Sequence, residues 1–529
     1  MLRRIFNRLN ESVSGGALFI AFFSIVSKVL GLFRDRLLAV NFGADRLTDI
    51  YFASFKLPDL IFNILVLGAL TSSFIPVFQR VWGKDPREGI ALSNSVFNLL
   101  LLVVISLSVV IFFNANIIIP FVVPGFSGAD KQLVVSLTRI VLISLIFFTA
   151  SNVLSGVLNS WRKFFTFALS SVVYNMGIII GIVLLYPLFG FIGLAIGVVL
   201  GSVLHFSVQL IEALRHGWFY QFSFKIDAPL KRIFSLMVPR TIGLAANQIS
   251  SFVITILAST LSAGSLAIYN FSSNLQSFPV TIFGISLAVA VFPSFTKTLA
   301  ENNTSGFKDI FSLQLRRILY FLIPLSFTIL ILRAHIVRVV LGAGAFDWED
   351  TRLTANALGF FALSLCAQGL IPLLTRSFYA LEDTLTPVII SFMGVGITII
   401  LSLAFFRTYG VLGLVFAESI GSVAYLVTLF AVLHHRLGDL RDSELLKSIR
   451  RITIISLLAA ALIYLSLQIT AQLVDTRTFA GIFAQGAVSG AIGIATYIAI
   501  SMMMGFDEIT IVKRYLLKFL KPLLNGSDK

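Results

Sequence analysis

Charge is scarce in this 529-residue chain: Asp, Glu, Lys and Arg make up 12% of it, about half the share found in soluble domains. There is one cysteine, Cys366, which excludes an intrachain disulfide and a thiolate metal cluster. Apart from the adjacent His434 and His435, the five histidines are scattered, so no metal site and no cofactor are expected. Long polar segments are missing too. The longest polar connections, 217–231, 301–308 and 436–447, are too short to house a catalytic domain. A membrane glycosyltransferase or phosphatase would need clustered acids or histidines at a membrane face, and none is visible, so no enzyme is expected. Alternating strands of about 10 residues, the mark of outer-membrane barrels, are also absent.

What fills the chain instead is apolar. Hydrophobic residues account for 57% and the mean hydropathy is +0.95. Runs such as "SNSVFNLLLLVVISLSVVIFF" and "IVLISLIFFTASNVL" recur from end to end. A hydrocarbon core about 30 Å thick takes about 20 helical residues, and backbone in lipid must satisfy its own hydrogen bonds. The chain reads as an all-α polytopic membrane protein. Spans are expected near 14–40, 49–80, 90–116, 132–159, 164–186, 190–214, 231–260, 264–298, 309–340, 352–380, 386–406, 410–434, 447–472 and 480–504, about fourteen in all. The basic "MLRRIFNRLNESVSGG" precedes a first span too long and too charged for a signal peptide, and reads as a retained cytoplasmic segment.

Lys and Arg concentrate in alternate connections: Arg3, Arg4 and Arg8; Arg80, Lys84 and Arg87; Arg162 and Lys163; Lys225, Lys231 and Arg232; Arg436, Arg441, Lys447, Arg450 and Arg451. Both termini are therefore expected in the cytoplasm. The net charge of +15 is spread over many short loops. That distribution suits anionic lipid heads and argues against a nucleic-acid partner.

The chain also resembles itself. "FGFIGLAIGVVLGSV" (Phe189–Val203) returns as "YGVLGLVFAESIGSV" (Tyr409–Val423), an offset of 220 residues from Gly190 to Gly410. At the same offset "VLNSWRKFFTFAL" (Val157–Leu169) lies on "SFYALEDTLTPVI" (Ser377–Ile389), and near it "SSFIPVFQ" (Ser72–Gln79) resembles "AVFPSFTK" (Ala290–Lys297). Two six-helix repeats of one orientation are expected, a plan used by alternating-access transporters, followed by two further helices. The expected segments are 1–13 (N-terminal), 14–216 (N-lobe), 217–230 (linker), 231–436 (C-lobe), 445–505 (extra helices) and 506–529 (basic cytoplasmic tail).

Charges within spans are expensive and are functional candidates by default. The first span contains Lys28, Arg34, Asp35 and Arg36. Lys28 and Arg34 are separated by about 120° on a helix turning about 100° per residue, so they need not share a face. Arg34–Asp35–Arg36 also reads as an interfacial anchor with a local ion pair. Asp49 suits either a cavity role or a helix N-terminus. Lys56 precedes Pro58, a candidate hinge. Arg240 reads as a cavity cation or a snorkelling one. Asn247 and Asn274 are placed to bind sugar or peptide, or to join helices. Glu418 is a candidate coupling acid, with Val198 at its repeat position.

"SKVLGLFRDRLLAVNFGA", "TDIYFASFKLPDL" and "GALTSSFIPVF" occur in order in the first two spans, with "GAFDWEDTRLTANAL" and "FYALEDTLTPV" further on. In these motifs the chain resembles the MurJ (MviN) family of lipid II flippases, within the superfamily that holds drug antiporters and polysaccharide-lipid exporters. The resemblance implies a V-shaped pair of lobes around a cavity, and a groove on the last two helices for a polyprenyl tail. It implies movement of the undecaprenyl-pyrophosphate peptidoglycan precursor to the outer leaflet by a monomer, with pyrophosphate held by cavity cations and the coupling ion unspecified. Lys28 replaces a family arginine, and Arg34–Asp35 and Asp49 match family positions. Two further family arginines fall at Phe62 and Asn274, for which Lys56 and Arg240 are candidate replacements. The alternatives are a flippase for another polyprenyl-pyrophosphate glycan, a cation-coupled small-molecule exporter of the same fold, and a membrane scaffold.

Overall fold

The computed structural model describes residues 13–67, 73–506 and 508, without the side chains of 13–21, 67 and 238–240. The expected 1–13 segment, the basic tail beyond 508 and the Arg240 side chain lie outside the described residues. Helices account for almost everything else, and no strand occurs among the described residues. In order they are α1 Val13–Phe42, α2 Arg46–Ser54, α3 Lys56–Ile61, α4 Ile75–Trp82, α5 Pro86–Val122, α6 Gly128–Ser160 and α7 Phe164–Ile180. Then come α8 Tyr186–Phe189, α9 Phe191–Arg215, α10 Ala228–Ser259, α11 Ser265–Pro279 and α12 Ser286–Ala300. The series ends with α13 Thr304–Val340, α14 Trp348–Ala380, α15 Leu385–Leu437, α16 Asp442–Thr470 and α17 Phe479–Met503.

Among the described residues, eleven helical stretches are long and apolar enough to cross a membrane. One of them, the 53-residue α15, is broken at Gly410 and carries two expected spans. The first two expected spans are α1 and the interrupted stretch from α2 to α4. By contact the chain gathers into two compact units. One holds Met1–Phe271, Val340–Asp350 and Ile399–Leu414; the other holds Ser272–Val339, Thr351–Thr398 and Val415–Lys529.

The repeat is written in the backbone irregularities. Gly190 (φ 60°, ψ −145°) and Gly410 (φ 58°, ψ −140°) bend the chain identically. Few residues other than glycine tolerate that region. A methyl group on Gly193 would strike the Leu185 carbonyl, and one on Gly413 would strike that of Phe405, the same contact 220 residues on. The turns after α6 and α14 match in the same way. Arg162 (φ 59°) and Glu382 (φ 62°) are both left-handed. The amide of Lys163 donates to Leu158 O at 2.8 Å, and that of Asp383 to Phe378 O at 2.9 Å. Such a bond from beyond a left-handed residue closes a helix C-terminus in the Schellman manner. Wide π turns fall at Phe62–Leu67 and Val280–Ile285, at the offset relating Ser72 to Ala290.

Small residues set the helix spacing. In the first unit α7 and α9 meet where Gly177 faces Gly201 and Gly181 faces Gly197, so close that a methyl group at any of them would overlap backbone. Without a hydrophobic drive between helices in lipid, such close backbone approach is what holds them. A chain of polar side chains links helices inside this unit: Ser155 donates to Gln209 Oε1 at 2.6 Å and Gln209 to Ser170 Oγ at 3.0 Å. The segment after α9 forms a strap along α5. Trp218 donates to Ser93 Oγ at 3.1 Å, Asn94 to Phe219 O at 3.0 Å, and Asn98 to Ser223 O at 2.9 Å.

In the second unit α16 and α17 pair with each other and with α13. Tyr497 donates to Tyr320 O at 2.8 Å, and His335 Nε2 lies 3.0 Å from Gln485 Oε1. An apolar cavity of about 780 Å³ opens between α13, α14, α15 and α16, with Leu315, Leu374, Phe430 and Leu446 in its walls.

Candidate functional site

Two features of the first unit stand out: a row of charged side chains on α1 to α3, and a cluster of loops closed by main-chain contacts.

On α1, Lys28 is half-buried. One and a half turns on, Arg34 donates to Asp35 Oδ1 through Nη2 at 2.8 Å and Nε at 3.0 Å, while Asp35 is 2% exposed. The local ion pair weighed from the sequence is thus formed. A paired, partly desolvated arginine keeps its charge and its remaining donors. Arg36 turns away and donates to Val340 O at 3.1 Å. On α3, Lys56 Nζ donates to Ser251 Oγ of α10 at 3.2 Å. Pro58 sits in the first turn of α3, just after the break between α2 and α3 at Phe55. Asn247 is exposed on α10. Asn274 on α11 and Glu418 on α15 are half-buried and belong to the second unit.

Asp49 stands in the first turn of α2 as an N-terminal acid. The N-cap of α2 is Asp45, which accepts from Arg46 N at 2.6 Å. The Asp49 carboxylate is fully buried and accepts from Gly264 N and Ala267 N, each at 2.8 Å. It therefore caps the start of α11, 215 residues along the chain. Arg46 lies 3.7 Å from this carboxylate, with its guanidinium 4.5 Å from the centre of the Phe126 ring. A carboxylate on the exposed amides of a helix start joins a charge-assisted bond to a favourable dipole.

Around this capped helix start four loops interlock. A side chain at Gly264 would collide with the Ala44 carbonyl, one at Gly125 with that of Ser259, and one at Gly344 with that of Val40. Ala345 N donates to Val40 O at 2.9 Å, and Ala44 N to Asp350 Oδ2 at 3.0 Å. Phe346 lies buried against Phe271, their ring centres 6.1 Å apart. The pattern is crossed with respect to the repeat. The α5–α6 loop meets the α10–α11 loop, and the α13–α14 loop meets the α1–α2 loop. All of these contacts lie within the first unit.

The family model described as lipid II flippase MurJ matches residues 38–484. The chain belongs to the MurJ lipid II flippase family. A probable lipid II flippase MurJ of Buchnera aphidicola (subspecies Schizaphis graminum) is 30% identical over 384 residues, covering 71% of this chain and 74% of that one. The lipid II flippase MurJ of Burkholderia cenocepacia is 27% identical over 437 residues, covering 78% and 82%. Among solved structures, a lipid II flippase MurJ in an inward closed conformation is similar with a TM-score of 0.78 and 26% identity, over 92% of this chain and 98% of that one. A multidrug-resistance transporter of the MATE family in an inward-facing conformation has a TM-score of 0.68 at 15% identity, a likeness of fold alone. MurJ is a family of transporters, so the chain is a multi-pass membrane transporter, and the exporter alternative is not favoured.

The interlocked loops were missed from the sequence. Their only signal is a small residue beside a turn, in "FGAD", "SAGS" and "LGAG", which does not say what each turn meets.

Proposed function

We propose that this protein moves lipid II from the cytoplasmic to the outer leaflet of a bacterial inner membrane, by alternating access and as a monomer. Family membership carries the reading. The cations of the first unit give it a chemistry. A pyrophosphate leaves water for a region where attraction between unit charges about 4 Å apart rises from about 1 to about 4 kcal/mol. Lys28, Arg34 and Lys56 supply that attraction, with Arg240 as a fourth candidate, and Asn247 and Asn274 bind the sugar or peptide. The Lys and Arg distribution supports both termini in the cytoplasm; the interlocked loops then lie on the outer side and close the route outward. Opening them means releasing Asp49 from the start of α11 and separating backbone from backbone. Glu418 and Pro58 are candidates for coupling and bending. The polyprenyl tail stays in lipid along α16 and α17.

The test is complementation of a bacterium depleted of its lipid II flippase, with precursor accessibility read at the outer leaflet. At matched membrane levels, the wild-type protein rescues growth and Lys28→Ala/Arg34→Ala does not. Rescue by both would keep the substrate and discard these cations. A well-inserted wild-type protein without flippase activity would overturn the reading.

A further inference from the structure

A second cavity lies in the first unit, away from the interlocked loops. It measures about 260 Å³ and is walled by Phe55, Pro58, Asp59 and Phe62 on the second span, by Val141, Ser144, Leu145 and Phe148 on α6, and by Tyr174 on α7. Its only charged lining residue is Asp59. Among the described residues no hydrogen bond and no ion pair reaches the Asp59 carboxylate or the Tyr174 hydroxyl; the bond to Asp59 comes from Asn63 Nδ2 and ends on its main-chain oxygen. Asp59 is open to the cavity, not packed. Ser144 spends its hydroxyl proton on Val141 O at 2.6 Å, which leaves its oxygen lone pairs available.

We propose that Asp59, with Tyr174 and Ser144, binds a monovalent cation, a proton or a sodium ion, and that its occupancy is coupled to movement of the anionic substrate. An acid at membrane depth needs water, a proton or a cation beside it. This one has an opening for each and, among the described residues, neither a hydrogen bond nor an ion pair on its carboxylate. The cavity's size selects the ligand. At about 30 Å³ per water it holds an ion with a few waters, and is too small for a disaccridic or peptidic headgroup. Its walls, mostly Phe, Val and Leu, keep the local dielectric low and make occupancy matter electrostatically.

The charged neighbours give the occupancy a consequence. Lys56 stands three residues before Asp59, on the same face of α3, and its charge bears on Asp59 as that of Arg34 of α1 bears on Tyr174. The α6 wall presents no charge. With Asp59 ionised, its field cancels much of that of Lys56. With a cation on Asp59, Lys56 acts undiminished on a pyrophosphate. Binding of the cation therefore favours capture of the anion, and its departure favours release. This inference rests on the flippase reading for its consequence, though the site itself does not.

The experiment is infrared difference spectroscopy on the full-length protein in lipid, in two arms. One arm acidifies the sample without sodium; the other adds sodium at fixed alkaline pH. In the wild-type protein, a protonated-carboxyl band growing with acid identifies a proton, and a carboxylate band shifting with sodium identifies the metal ion. Either signal is absent from Asp59→Asn and displaced along the titration in Tyr174→Phe. Identical spectra for wild type and Asp59→Asn in both arms overturn the site. In a liposome flipping assay at clamped potential, Asp59→Asn loses the wild-type dependence on that ion. Retention of the full dependence overturns the coupling. A wild-type protein that shows the infrared signal but does not flip lipid II leaves the site standing and removes the flippase reading.

Discussion

The two repeats share a skeleton and differ in chemistry. Gly190 and Gly410, Arg162 and Glu382, and the π turns at Phe62–Leu67 and Val280–Ile285 put the same bends at the same places. The side chains hung on those bends do not match. Lys56 of the first repeat faces Asn274 in the second, Asp59 faces Ser277, and Val198 faces Glu418. Even the matched turns after α6 and α14 present Lys163 in one case and Asp383 in the other. Backbone geometry is thus held by glycine and by helix ends, which leaves the polar side chains at liberty to diverge. At the Lys56 and Asp59 positions the charge lies in the first repeat, and at the Glu418 position it lies in the second.

The largest effect should come from the contact that ties the repeats' loops together. Gly264→Val places a branched side chain on the Ala44 carbonyl, at a residue whose φ of 85° already disfavours any side chain. The loops then fail to close. Lipid II flipping should fall by more than about tenfold, equivalent to about 1.4 kcal/mol. A Ser265→Cys reporter in a Cys366→Ser background should become reachable by an impermeant maleimide from outside. Unchanged labelling and unchanged flipping would mean that the loop cluster is no barrier.

An intermediate effect tests the shared skeleton. Gly190→Ala and Gly410→Ala each force a methyl-bearing residue into a region of φ and ψ reserved for glycine, which costs about 1–3 kcal/mol. Both variants should lower the thermal unfolding midpoint in lipid, and by similar amounts. A loss at one position alone would show that the two bends carry different loads despite matching angles.

The smallest effect separates the matched turns by their charges. Asp383 accepts from Thr386 N at 2.9 Å and Thr386 Oγ1 at 2.6 Å, and it pairs with Arg436. Burial pushes its carboxyl up, but the bonds from Thr386 and Arg436 outweigh that and hold it below its ordinary range. A carboxyl depressed by folding adds stability above its unfolded value and loses it as pH falls through the folded one. Acidification below the ordinary carboxylate range should therefore lower the unfolding midpoint more in the wild-type protein than in Asp383→Asn. Lys163→Gln at the matched turn removes no carboxyl, so it should leave the acid slope as it is.

Much of this was legible in the sequence, and for physical reasons. Helix ends fell within a few residues of the expected spans because hydropathy and turn residues are local properties. Gly190 and Gly410 were readable because each sits in a repeated pattern of glycines. The Arg34–Asp35 pair was readable because the two are neighbours. The partners of Asp49 were not, since nothing near it points to an amide 215 residues away. Asp59 carries no such local signal, because what surrounds an acid's carboxylate shows only once the neighbouring helices are in place.

The interlocked loops meet mainly through carbonyls, amides and the absence of side chains: Ala44 O, Val40 O, Ser259 O and the glycines opposite them. A closure of this kind constrains the glycines and the two carboxylates at its contacts and leaves the rest of the sequence free. The cations, amides and acids that recognise a cargo can then be exchanged one by one without re-engineering the door, and the door is inherited while the cargo changes. A fold closed in this way is well suited to serve many substrates over its history.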